Sequence, residues 1–389
     1  MTYSNNRPRA LVIGGSLGGL FAGTLLRRSG WNVDIYERSA QDLDSRGGGI
    51  VLQPQVVALL GRIGTDVARM PLGVRSRNRV VFEPDGTVRS RELAPQTQTS
   101  WSLIYSTLKA AFGSTHYHQA KTLTDVRQDD ASSTLTAVFD DGSEAKGDLL
   151  IGADGNSSTV RRLIWPDAEP TYAGYLAWRG LVPEAAMPDV ARAGLHGDFG
   201  FANNTGSHIL GYLVPGDGND TPDGHRLYNW VWYRTADAAR LQAIMTDRTG
   251  RDRGYSLPEG QLAPHWRRTL VDEAADLLPP PFRVIVEATA EPFAQAIRDL
   301  TVDRMVKDRV VLLGDAAFIP RPHTAASTSK AAANALALAD ALDRTPEDID
   351  AALAQWEPEQ IALGRRLYEQ GTRAGDFLLF GRGPIGRVG

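Results

Sequence analysis

A short apolar strand that breaks into a glycine turn and runs straight on into a helix leaves a chain few folds, and residues Ala10 to Glu37 make that sequence. Ala10-Leu11-Val12-Ile13 reads as a buried strand, Gly14-Gly15-Ser16-Leu17-Gly18-Gly19 as the turn, Leu20 to Ser29 as a helix and Asn32-Val33-Asp34-Ile35-Tyr36 as a returning strand that delivers Glu37. Such a strand-turn-helix-strand unit can bring backbone close to a pyrophosphate, offer it the unpaired N–H groups of a helix N-terminus, and present an acid to a ribose about 20 residues on. Gly14, Gly19 and Glu37 occupy the required places, while Ser16 stands at the middle glycine of G-x-G-x-x-G, where a small hydroxyl must fit beside the phosphates.

The rest of the chain limits what can be built on that unit. At 389 residues it is long enough for two lobes. A net charge of -4 gives no electrostatic footprint for nucleic acid. The absence of cysteine excludes disulfides, thiolate catalysis and thiolate metal sites, and seven scattered histidines give no metal-ligand spacing, so no metal is expected. Met1 to Arg9 is polar and no later run approaches a membrane span, so a soluble, cytoplasmic protein is expected.

Further along, Arg46-Gly47-Gly48-Gly49 feeds the apolar Ile50-Val51-Leu52, either a close backbone approach to a flat group or a loop tip. Asp148-Leu149-Leu150-Ile151-Gly152-Ala153-Asp154-Gly155 ends a buried strand at a small-residue turn carrying an acid, and a helix begins near Ser157. From Pro170 to about Glu291 the pattern alternates as in antiparallel sheet; Tyr228, Trp230 and Trp232 share one face there, as core or as pocket lining. Asp308 to Gly314 then forms a strand delivering Asp315, followed by Pro320-Arg321-Pro322-His323 and a helix over about 325–342, with more amphipathic helix over 346–375.

The run from Asp148 through Arg161 resembles the D-G motif of the single-component (group A) flavin-dependent aromatic hydroxylases, and Gly314-Asp315 resembles their G-D motif. Arg321-Pro322-His323 with Ala325-Ala326 and Lys330, together with Thr171 to Tyr175 and Trp178-Arg179-Gly180, looks most like the 2,6-dihydroxypyridine 3-monooxygenase branch of that family. The resemblance spans almost the whole chain. It implies an α/β fold: a Rossmann-like FAD-binding domain of the p-hydroxybenzoate hydroxylase type from residues 1–169 and 292–389, a substrate domain with an antiparallel sheet from 170–291, and C-terminal helices.

It also implies the chemistry. NADH or NADPH would reduce FAD transiently, O2 would form a flavin C4a-hydroperoxide, and one oxygen would pass to a small electron-rich aromatic or N-heteroaromatic ring such as a hydroxypyridine. An FAD-dependent oxidase or dehydrogenase, or a flavin-binding protein without turnover, are the alternatives, and a homodimer is left open. FAD contacts are expected from Gly14, Ser16, Leu17, Gly19, Glu37, Arg38, Arg46, Gly49, Asp154, Gly155, Gly314, Asp315, Ala325 and Ala326. His323, Pro322, Tyr212 and His208 are the expected catalytic group, His323 foremost because the G-D loop carries it toward the flavin. Three residues depart from the family pattern: Phe318 stands where many relatives have histidine, and Ala325 and Ser327 where many have glycines.

Overall fold

The computed structural model describes residues 7–43, 48–129 and 133–383, whose strands form three sheets. The first sheet runs in the order 306–307, 310–312, 149–152, 9–13, 32–36 and 117–118, and every join is parallel except the outermost pair. Parallel strands covered on both faces need unbroken apolar sequence, which explains why Ala10, Leu11 and Val12 are fully buried. The crossover helix Leu17–Arg28 packs Leu20, Phe21 and Leu25 onto this sheet. The strands end together at Ile13, Tyr36, Gly152 and Leu312, so the loops that follow them crowd one edge.

The second sheet has nine strands in the order 256–257, 293–299, 171–183, 227–235, 207–214, 199–204, 74–82, 88–100 and 49–51. Sheet membership therefore does not follow the expected break at residues 170 and 291. The strands 49–51, 74–82 and 88–100 join from the first part of the chain, through a parallel pairing of Phe199–Ala202 with Arg79–Phe82, and 293–299 joins from beyond the later boundary. Hydrogen bonding between distant edges decided this, and local periodicity carries no record of it.

The two faces of this sheet are filled differently. Leu176, Trp178, Tyr228, Trp230 and Trp232 lie on the face covered by helices, against Ile244, Met245, Phe282 and Ile285. The aromatic stripe is thus core and not pocket lining: Trp230 donates to the Thr289 hydroxyl at 2.8 Å and Trp232 to the Ser207 hydroxyl at 2.7 Å. Tyr175, Ala177, Val231, Tyr233 and Ile297 lie on the opposite face.

Two helices close the structure. Ser327–Arg344 runs back from the end of strand 310–312, and Ile349–Phe380 continues as one 32-residue helix through Pro358. Glu357 on the long helix accepts the backbone N–H groups of Met305 and Val306, at 2.7 and 2.9 Å. Phe318, 1% exposed, lies under Gly364, where an added Cβ would come within 2.4 Å of its ring. The side chain that replaces the family histidine thus serves the core beneath the long helix.

Candidate active site

The first sheet's loop-bearing edge and the second sheet's free face enclose one cavity of about 590 Å³. At one end of it, Gly14 has φ +103°, and a Cβ there would lie 2.5 Å from the Ala153 carbonyl oxygen. Gly19 lets the helix approach this turn, since its Cβ would fall 1.9 Å from the Gly14 oxygen, and Gly19 packs in this way without lining the cavity. Ser16 caps the helix without a side-chain capping bond, and the first turn holds no acid. Its hydroxyl and the N–H groups of Leu17 and Gly18, all on the cavity wall, are left for an anion.

Glu37, 6% exposed, accepts the Gly15 N–H on Oε2 at 2.8 Å and the Ser39 N–H on Oε1 at 2.9 Å. Each oxygen retains a lone pair for a ligand hydroxyl. Arg38, Gly49 and the stretch Lys121 to Leu123 complete this end; the lysine stretch was not foreseen, because nothing in its sequence distinguishes it from an ordinary strand entry. Arg46 lies outside the described residues.

In the middle of the cavity Asp154, Gly155, Gly314, Asp315, Ala325 and Ala326 meet. The carboxylate of Asp154 is used locally: it accepts the Ser158 hydroxyl and the N–H groups of Thr159, at 2.6 Å, and Val160, at 3.2 Å, while burial pushes its pKa up. Asp154 therefore braces the first turn of the helix Thr159–Ile164, whose N-cap is Ser158. Asp315 differs. Ser327 and Lys330 both bond its Oδ1, at 3.0 and 2.8 Å, leaving Oδ2 for a ligand. Ala325 adopts the left-handed φ of 51° that suits a glycine, and the helix after it begins without a side-chain cap, so a second helix N-terminus opens on the cavity. Two uncapped helix starts, each with a buried or half-buried carboxylate beside it, fit the pyrophosphate and sugar hydroxyls of FAD.

The remaining wall is the face of the second sheet: Ala177, Arg179, Phe199, Leu210, Tyr212, Val231, Tyr233, Gln295 and Ile297, closed by Ile319, Pro320 and Pro322. Arg179 makes no ion pair among the described residues; its guanidinium lies 5.7 Å from the Phe293 ring centroid, and its buried Nε has no hydrogen-bond partner. Arg179 is half-buried, so its unpaired Nε–H at the edge of an apolar floor is a donor that a ligand oxygen can satisfy. Burial pushes the Tyr212 hydroxyl up to about 12. Trp178-Arg179-Gly180 entered the sequence reading only as part of the family resemblance, because a single arginine in an alternating strand carries no sign of which face it lines.

Of the expected catalytic residues, Pro322 and Tyr212 line the cavity, whereas His323 and His208 do not. Both histidines stand one layer behind Tyr233, with ring centroids 4.7 and 5.8 Å from it. His323 Nε2 pairs with the Tyr175 hydroxyl at 2.9 Å and its buried Nδ1 has no partner; burial, with His208 and Arg321 adding to it, drives its pKa well below the usual imidazole range. His208 pairs with Asn203 and is pushed down to about 4 by burial. The G-D loop does carry His323 toward the sheet, but the 3-10 turn Pro322–Thr324 presents Pro322 to the cavity and turns the imidazole behind it.

Residues 7–186 match the family described as FAD binding domain, and 172–299 match one described as FAD binding domain-like. The 2,6-dihydroxypyridine 3-monooxygenase of Paenarthrobacter nicotinovorans is 36% identical over 357 residues, covering 92% of this chain and 88% of that one. The 6-hydroxynicotinate 3-monooxygenase of Pseudomonas fluorescens is 25% identical, covering 86% and 82%. The solved structure of 2,6-dihydroxypyridine-3-hydroxylase from Arthrobacter nicotinovorans superposes with a TM-score of 0.91 at 34% identity, over 99% of this chain and 96% of that one.

Proposed function

The chain belongs to the single-component FAD-dependent aromatic hydroxylases, and from that premise we propose that it hydroxylates a small hydroxylated pyridine laid flat on the sheet face of the cavity. It is an FAD-dependent monooxygenase that takes electrons from NAD(P)H. Among the described residues no helix is long and apolar enough to cross a membrane. A cytoplasmic location, where NAD(P)H is at hand, fits a chain without cysteine.

The observation that carries the substrate reading is the pairing of an apolar and aromatic floor with Arg179, a cation that makes no ion pair among the described residues. Ala177, Leu210, Val231 and Ile297 with Phe199, Tyr212 and Tyr233 offer a dry surface to a flat ring, and Arg179 offers two or more N–H donors to a ring oxygen. A hydroxypyridine supplies both partners, and the relative at 36% identity is named for such a substrate. In this reading the cofactor half draws mainly on residues 1–169 and 292–389 and the substrate half mainly on 170–291, with strands 49–51, 74–82, 88–100 and 293–299 crossing between them.

FAD, when bound, accepts two electrons and activates O2 for transfer of a single oxygen atom. The chain's own residues do the rest. Ser16, Glu37 and Asp315 hold the cofactor's polar parts, and the sheet and the Ile319–Pro322 loop keep water from the ring. Arg179 lowers the cost of charge on the ring oxygen, which favours its loss of a proton and raises electron density on the ring carbons. Tyr212, held protonated, can hydrogen-bond the same ring. His323 and His208, both neutral near pH 7, act through the Tyr233 layer, not on the ring itself.

A panel of dihydroxypyridines, hydroxynicotinates and simple phenols, scored for NAD(P)H oxidation and for oxygenated product by mass, tests the reading. Dihydroxypyridines should stimulate turnover most. In Arg179→Gln the dissociation constant of the best substrate should rise about tenfold or more while FAD stays bound, in line with the loss of a charge-assisted hydrogen bond. Turnover confined to polycyclic or non-hydroxylated rings, or an unchanged dissociation constant in the variant, would remove the hydroxypyridine from this site.

A further inference from the structure

Lys330 is an ammonium buried behind the wall of the cavity, whose surface its partner Asp315 lines, and nothing in the proposed reaction uses it. It lies on the helix Ser327–Arg344, one turn in from the uncapped end that opens on the cavity. Its side chain is 1% exposed. The ammonium bonds Asp315 Oδ1 at 2.8 Å and the Phe318 carbonyl, and Asp315 is its one acidic partner among the described residues. Asp315 itself is a cavity residue, with 37% of its side chain exposed. Burial pulls the pKa of Lys330 down, and Asp315 pulls it back.

A buried lysine is costly, and packing alone gives no reason for it, since methionine would fill the same volume. The charge has a use if the neighbouring carboxylate must face a group that becomes negative. Oxidised flavin is neutral and two-electron-reduced flavin is an anion once its acidic ring N–H is lost. An uncompensated Asp315 would therefore oppose reduction, while the adjacent cation offsets it.

We propose that Lys330 is a positioning residue that sets the reduction potential of the bound FAD, by holding Asp315 on the cofactor while neutralising its field. The inference rests on FAD binding and is independent of the substrate reading. It makes the effect a property of the ion pair: removing the cation lowers the potential, and removing the carboxylate as well restores it.

The test is the midpoint potential of enzyme-bound FAD, by equilibration with a reference dye, in the parent, Lys330→Met, Lys330→Gln, Asp315→Asn and Lys330→Met/Asp315→Asn. Both single lysine variants should favour oxidised over reduced FAD about tenfold, a fall of about 30 mV for a two-electron couple. The double variant should return toward the parent, and Asp315→Asn alone should lie at or above it. The glutamine variant keeps the hydrogen-bond donors without the charge, so it separates electrostatics from packing if the methionine variant folds poorly. A parent-like potential in Lys330→Gln, or a double variant that stays as low as Lys330→Met, overturns the proposal.

Discussion

Both carboxylate oxygens of Glu37 already accept a backbone N–H, so this residue shapes the glycine turn, and the proposed reading adds a ribose to its partners. In Glu37→Gln an amide N–H₂ must face one of those N–H groups, donor against donor. The expected cost is about 1.5–3 kcal/mol in FAD binding, a weakening of roughly tenfold to a hundredfold. Measuring FAD release by fluorescence checks it, and full affinity in the variant would reduce Glu37 to a strand-end acid. A second residue-scale prediction concerns His208, whose pKa falls from 6.5 to about 4 on folding. The unfolded chain then binds a proton that the folded chain refuses, so stability falls as the pH drops from 6.5 toward 4. The loss attributable to His208 is about 3 kcal/mol when complete. Thermal midpoints over that range should show a shallower acid limb in His208→Gln than in the parent.

Legibility differed from one element to the next for physical reasons. The unit from Ala10 to Glu37 could be read because strand, turn, helix and acid are contiguous and each needs particular residue types. Alternation showed that Tyr228, Trp230 and Trp232 share a face, yet it carries no sign of which face the helices cover. Asp154 carried the family motif, but its carboxylate accepts the Ser158 hydroxyl and the first N–H groups of the helix that Ser158 caps, a contact that the motif by itself does not reveal. Ala325 is the clearest element-scale departure: it holds a φ of 51° at the start of the cavity helix. An L-residue with a Cβ loses about 1–2 kcal/mol in that conformation. Ala325→Gly should raise stability by about 1 kcal/mol net of the entropy that glycine loses on folding. Denaturant unfolding of the FAD-bound enzyme measures it, and a lower midpoint at unchanged slope would show that the alanine is not strained.

At the scale of the whole molecule, the cavity exists because strands from three parts of the chain share one sheet and the long helix fastens the halves. Arg321 joins Asp299 on that sheet to Asp376 on the long helix, and Gly371 allows the close approach, since an added Cβ there would lie 2.8 Å from the Arg321 backbone nitrogen. These contacts join residues far apart in sequence, which is why the division into halves was harder to read than either half. The site they create puts an apolar, aromatic floor and Arg179 across the cavity from the loops proposed to hold FAD. The most direct test of that account is turnover with NAD(P)H and a dihydroxypyridine under heavy-isotope O2, followed by mass analysis of the ring product. Incorporation of one labelled oxygen atom, dependent on both the substrate and bound FAD, is the predicted result; NAD(P)H oxidation that yields only hydrogen peroxide across the whole panel, with no labelled ring product, would contradict it.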